Sequence, residues 1–145
     1  MRPARERLPS TKHTYFVTSQ TIQRKPFFRH ERWARLFEET LLHYREKSYL
    51  LHAYVIMPDH FHVLISPLEN LERAMQNIKG GYSFRAKRAF DWKQDIWQPG
   101  FSDHRIRDLE DLSRHLVYIE NNPTRARLCK RTEEYPYLAM RLDPI

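Results

Sequence analysis

Apolar residues alternate with period two in some stretches of the chain and recur at steps of three and four in others, which divides it into strands and helices. His13 to Thr18, β-branched and aromatic, reads as a strand, and Ser19 to Pro26 as a polar connection. Over Arg32 to Lys47, residues Trp33, Leu36, Phe37, Thr40, Leu41 and Tyr44 take helical spacing and define an amphipathic helix. Tyr49 to Ile56 is a second strand. Met57-Pro58-Asp59 interrupts it, because proline lacks the ladder N–H and aspartate favours turns. His60 to Ser66 is the third, and so short a link predicts an antiparallel hairpin near the centre of a sheet.

After Pro67, residues Leu68, Leu71, Ala74, Met75 and Ile78 define a second helix that Gly80-Gly81 is expected to kink or end. Ile96 to Ile106 reads as a loop containing a fourth strand. Asp108 opens a third helix with Leu109, Leu112, Leu116 and Ile119 as its core stripe, until Pro123 stops regular continuation. The tail, Thr124 to Ile145, has no clear period. The order strand, helix, strand, strand, helix, strand, helix predicts a ferredoxin-like α+β domain, an antiparallel sheet with helices packed on one face.

The length of 145 residues fits one domain, expected over 13–145. Before it, residues 1–12 carry Arg2, Arg5, Arg7 and Lys12 with two prolines and read as a flexible basic arm. Lysine and arginine number 25 against 18 acidic residues, a formal net charge of +7, which favours a polyanionic partner and nucleic acid above all. The single cysteine, Cys129, excludes an internal disulfide and a cysteine-rich zinc cluster. No signal-peptide segment and no membrane-length apolar run are found, so a soluble, cytoplasmic protein with no membrane partner is expected.

In Asp59-His60-Phe61-His62-Val63 the two-residue period of a strand sends both imidazoles to one face and Phe61 to the opposite, buried face. Both rings can then reach one divalent ion, with most of its coordination shell left open. An isolated His-x-His is equally consistent with two strand histidines that bind nothing. On the third helix, steps of about 100° put Asp111, Arg114, Tyr118 and Asn122 opposite the leucine stripe. Asn122 follows Tyr118 by one turn and either enters a site with it or caps the helix before Pro123.

Val55-Ile56-Met57-Pro58-Asp59-His60-Phe61-His62-Val63-Leu64, Trp97-Gln98-Pro99-Gly100-Phe101 and Tyr118-Ile119-Glu120-Asn121-Asn122-Pro123 together resemble the REP-associated tyrosine transposases, a single-tyrosine branch of the HUH endonucleases. The similarity runs from about Tyr15 to Leu128, with the motifs in the family's order. The resemblance implies that His60 and His62 are metal ligands, that Asn122 is a third ligand, and that Tyr118, on a C-terminal helix, is the nucleophile. It also implies magnesium or manganese, hairpin-containing single-stranded DNA as substrate, and a 5′-phosphotyrosine intermediate with a free 3′-hydroxyl. That branch acts as monomers, whereas related insertion-sequence enzymes work as dimers; a monomer with no obligatory protein partner is expected.

A phenol is protonated at neutral pH, so attack on phosphorus needs a proton acceptor or a positive field. Lys79, Arg85, Lys87 and Arg88, interleaved with Tyr82 and Phe84, are expected to grip the DNA by phosphate pairing and base stacking. Asp103, His104 and Arg105 have no assignable role. Two other readings stay open: a metal-dependent hydrolytic nuclease in which Tyr118 is dispensable, and a non-catalytic DNA-binding protein reused by its host.

Overall fold

The computed structural model describes residues 13–145, and the basic arm expected over 1–12 lies outside them. Strands β1 (Tyr15–Gln20), β2 (Tyr49–Met57), β3 (His60–Pro67), β4 (Ser102–Arg105) and β5 (Leu138–Ala139) form one sheet in the order β4-β1-β3-β2-β5. All neighbouring strands run antiparallel. The helices are α1 (Glu31–Tyr44), α2 (Leu71–Phe90) and α3 (Leu109–Arg125). The first four strands with α1 and α2 reproduce the expected ferredoxin-like arrangement, and β5 extends the β2 edge.

Side-chain alternation gives the sheet two apolar faces. Val17, Phe61, Val63 and Ile65 point into the larger core, with Phe37, Leu41, Met75, Ile78 and Tyr82 from α1 and α2. Ala53, Val55, Met57 and Leu64 point the other way, under Leu112, Leu116 and Ile119 of α3. Thus α1 and α2 share one face, and the C-terminal helix covers the other. A bulge between Leu51 and Ala53 shifts the β2 register, which lets Leu51 and Tyr54 serve the same core despite their odd separation. Burial of one such large side chain contributes roughly 1.5–3 kcal/mol.

Gly80-Gly81 neither kinks nor ends α2, which runs unbroken to Phe90. The glycine serves packing instead: a Cβ on Gly81 would lie 2.7 Å from Cε2 and Oη of Tyr44, so its absence lets α2 approach α1. Pro123 likewise does not stop α3. It lies close to the C-terminus, its fixed φ is helical, and its ring is buried, so the few missing hydrogen bonds are tolerated.

The expected core stripe of α3 is also rotated. Leu109 is 82% exposed, whereas Asp111, Ile119, Asn122 and Pro123 are buried. The buried polar groups explain the rotation: Asp111 accepts from His104 Nε2 on β4 at 2.8 Å and from the Arg107 N–H at 2.9 Å. Asp108 caps the helix as expected, its carboxylate accepting from Asp111 N–H at 2.8 Å.

The tail, which shows no period, is held by specific bonds. Leu138 and Ala139 pair with Val55 and Tyr54. Asp143 then receives two hydrogen bonds from Arg45, at 2.7 and 3.0 Å, and one from Leu51 N–H at 2.8 Å. Among the described residues no helix is long and apolar enough to cross a membrane.

The two glycines of α2 should respond to alanine with opposite signs. Gly80→Ala, with nothing within 4 Å of the new Cβ, should stabilise by about 0.5–1 kcal/mol through helix propensity. Gly81→Ala should destabilise by about 1 kcal/mol through overpacking against Tyr44. Urea denaturation of the two variants checks the pair, and equal effects would remove the close-approach account of Gly81.

Candidate active site

The β2–β3 hairpin turns through Pro58 and Asp59 alone, and neighbouring loops pin that turn. Pro58 O accepts from Phe28 N–H, and Asp59 O accepts from both the N–H and the hydroxyl of Thr21, all at 3.0–3.1 Å. The next three residues then alternate across the sheet. Phe61 is fully buried among Phe37 and Trp97, and the His60 and His62 rings emerge together on the α3 face with centroids 5.0 Å apart.

Each imidazole is supported through Nδ1. His60 Nδ1 donates to Asp59 Oδ1 at 2.7 Å, while Arg24 donates to the other carboxylate oxygen at 3.1 Å. Burial alone would raise the Asp59 pKa, but the hydrogen bonds from His60 and Arg24 outweigh it and hold the carboxyl below its ordinary range. His62 Nδ1 lies 2.7 Å from Thr18 Oγ1. With that nitrogen protonated, Nε2 carries the lone pair, and Nε2 is buried with no hydrogen-bond partner among the described residues. Burial, reinforced by neighbouring His60, pushes the His62 pKa down to about 3, so the ring is neutral at physiological pH. Two neighbouring imidazoles, each oriented through Nδ1, fit a divalent metal.

α3 brings Tyr118 to this pair. Its ring centroid is 5.3 Å from that of His62, edge to face, and 5.9 Å from that of Phe16. The residue is 37% exposed, enough for a substrate to reach it. The Arg125 guanidinium sits 5.3 Å from the Tyr118 ring centroid and supplies positive charge beside the phenol. Asn122 is buried one turn beyond Tyr118 and does not end the helix, which continues to Arg125.

The basic segment of α2 behaves differently from expectation. Tyr82 is fully buried and its hydroxyl donates to Trp33 O at 2.9 Å, so its ring is a core element unavailable for base stacking. Lys79 is half-buried, with burial lowering its pKa, and its ammonium donates to Gln98 O at 3.0 Å and Gly100 O at 2.6 Å. That charge braces the Trp97 to Phe101 loop. Lys87 and Arg88 are exposed, Arg85 is partly so, and Arg88 lies over the exposed Phe84 ring at 5.4 Å. All three lie on the helix across the sheet from His60 and His62.

Several residues near the site have no signal in the sequence pattern alone. Arg125 is seven residues from Tyr118 and hence on its face, but Pro123 had suggested that the helix stops before it. His104, Asp111 and His115 form a cluster whose ligand atoms lie within 4.8 Å of one another, a donor set compatible with a divalent cation. Hydrogen bonds from His104, Arg107 N–H and neighbouring groups outweigh the desolvation of Asp111 and take its pKa down to about 2. The cluster ties α3 to β4. Phe16 separates it from the histidine pair, its ring 4.7 Å from that of His115 and 5.1 Å from that of His62.

Known proteins resemble this chain in sequence and in fold. A REP-associated tyrosine transposase of Escherichia coli is 26% identical over 102 residues, covering 68% of this chain and 59% of that protein. A Haemophilus influenzae protein given the same family name is 29% identical over 119 residues, covering 74% of this chain and 66% of its own. The chain thus spans less than two thirds of the length of either. A solved structure of a REP-associated tyrosine transposase bound to a REP hairpin superposes with a TM-score of 0.73 at 24% identity, covering 87% of this chain and 75% of that one, and shares its fold. The family described as IS200-like transposases matches residues 10–122, well over half the length and including His60, His62, Tyr118 and Asn122. On that match, the chain belongs to the IS200-like transposase family.

Proposed function

We propose that the chain nicks and rejoins single-stranded DNA at hairpin-containing repeats, with Tyr118 as nucleophile and His60, His62 and Asn122 holding magnesium or manganese. The observation that carries the reading is the partnerless, buried Nε2 of His62 beside the exposed edge of Tyr118. A lone pair so oriented is costly to leave unused, and a tyrosine at that spot has no packing need for solvent access. The REP hairpin bound by the structural relative supports a hairpin as the DNA partner. The exposed Lys87 and Arg88 suit duplex or flanking backbone on the far side of the sheet.

In the reaction, the Tyr118 oxygen attacks phosphorus, a Tyr–O–P bond forms, and the bond from phosphorus to the 3′-oxygen breaks. The phenolic proton leaves to water, and the departing 3′-oxygen takes one up. Arg125 holds the Tyr118 ring through its guanidinium, 5.3 Å from the ring centroid. A divalent ion, when bound, neutralises charge that grows on the phosphate in the transition state. Asp59, an acceptor, keeps the His60 imidazole protonated at Nδ1, and Thr18 orients the His62 ring through its Nδ1. The 5′-phosphotyrosine conserves the energy of the phosphodiester, so the 3′-hydroxyl can reverse the step and rejoin DNA without another energy source. The chain is expected to act as a monomer.

Purified protein incubated with a labelled hairpin oligonucleotide and manganese should form a denaturation-resistant protein–DNA adduct that chelator abolishes. Tyr118→Phe should reduce the adduct below about one thousandth of wild type. Cleavage that persists in Tyr118→Phe would instead identify a hydrolase, and binding without cleavage on a matched target would identify a reused binding protein.

Arg125→Ala removes the group that holds the Tyr118 ring in place and should slow adduct formation about fivefold, roughly 1 kcal/mol in the barrier, with little change in DNA affinity. Single-turnover kinetics separates the two quantities. Thr18→Val keeps the shape of the side chain but frees His62 Nδ1, and should weaken manganese binding about tenfold in calorimetric titration. Unchanged affinity would remove Thr18 from the account of the site.

A further inference from the structure

Between the end of β1 and the Trp97 to Phe101 loop lies a pocket of about 360 Å³, lined by Thr18, Gln20, Gln98, Gly100, Phe101 and Ser102 among others. We infer that this pocket receives one unpaired nucleobase of the strand whose phosphate lies at His60 and His62. The inference rests on the proposed DNA-processing function and extends it to a base-specific subsite.

Its position follows from strand register. Thr18 is paired across β1 and β3 with His62, and Gln20 with His60. Directly paired residues project on the same side of a sheet about 5 Å apart. Thr18 therefore belongs to both places: its hydroxyl contacts His62 Nδ1 at 2.7 Å, and it lines the pocket. A nucleotide whose phosphate is drawn to the histidines has its neighbouring base beside Thr18 and Gln20.

The walls are built before any ligand arrives. Gln98 N–H donates to Gln20 O at 3.0 Å and continues the ladder past the end of β1. Lys79 holds Gln98 O and Gly100 O, and Ser19 Oγ donates to Gly100 O at 3.4 Å. Gly100 takes φ +82°, which glycine adopts without strain, and so turns the loop around the pocket. Such bracing gives a preformed site whose ordering cost is already met by folding.

The chemistry of the lining selects the ligand class. None of the eight lining residues is charged, and the nearby ammonium of Lys79 donates to the backbone carbonyls of Gln98 and Gly100. A phosphate would meet no charged side chain among these lining residues. Gln20 and Gln98 each offer an amide with paired donor and acceptor, Ser102 a hydroxyl and Phe101 an apolar surface. That set matches a planar, neutral group with donors and acceptors on its edge, as nucleobases have. It also gives the Trp97-Gln98-Pro99-Gly100-Phe101 motif a role in reading sequence beside the cut.

The test uses the full chain, labelled with nitrogen-15, and four-unit DNA strands in which three units are abasic and one carries a base. A fully abasic strand of equal charge is the control. Base-bearing strands should shift the side-chain amides of Gln20 and Gln98 and the backbone amides of Gly100 and Ser102. At least one of the four bases should bind about fivefold or more tightly than the control. Combined Gln20→Ala and Gln98→Ala should bring that ratio close to one while leaving affinity for the abasic strand unchanged. Equal affinity of base-bearing and abasic strands, or the same shifts from the abasic strand, would overturn the inference, the latter in favour of a phosphate site. Because binding is read without cleavage, a protein that forms no Tyr118 adduct can still pass, so the two readings fail separately.

Discussion

The alternation of side chains along β3 is the constraint on which the site depends. Phe61 enters the core under α1 while His60 and His62 emerge beneath α3, and a slip of one residue would exchange them. Two apolar faces hold the register against that slip, because Val63 and Ile65 serve one core and Leu64 the other. The bonds from the Thr21 and Phe28 segments to the Pro58-Asp59 turn fix it again at the end nearest the histidines. The imidazoles are therefore placed by the packing of residues that take no part in chemistry.

The second requirement is a helix that carries polar residues on its underside. Burying a carboxylate is unfavourable unless it is fully hydrogen-bonded. Asp111 meets that condition only where α3 rests against β4, since His104 and Arg107 N–H come from that edge. The bonds thus rotate α3 away from the orientation its leucines alone would choose. Leu109 is given up to solvent, Asn122 is buried, and Tyr118 reaches His62. A small polar cluster therefore does for the helix what apolar packing does for β3.

Period and turn chemistry made the hairpin, the two crossover helices and the common face of His60 and His62 legible from the residues, because those signals are local. The same local reasoning misread Gly81 and Pro123, whose roles are set by Tyr44 and by burial of a ring across space. Tyr82 and Lys79 share a pattern with surface DNA-binding residues, and only the tertiary contacts to Trp33 O and to the Gln98 and Gly100 carbonyls distinguish them. His104, Asp111 and His115 come from two elements, so no spacing announces that they meet. The pairing of Tyr118 with His62 was implied by family resemblance; periodicity placed Tyr118 only off the leucine stripe.

Phe16 lies between two hydrogen-bonded groups: Thr18 and Asp59 with the histidine pair on one side, His104, Asp111 and His115 on the other. Its ring touches His62, His115 and Tyr118, yet it can neither accept nor pass a proton through a hydrogen bond. The two groups are neighbours in space and strangers in proton traffic. In the proposed reaction, a proton released at Tyr118 has no route through the Phe16 ring to His104, Asp111 and His115, so that group is insulated from the chemistry at the phenol.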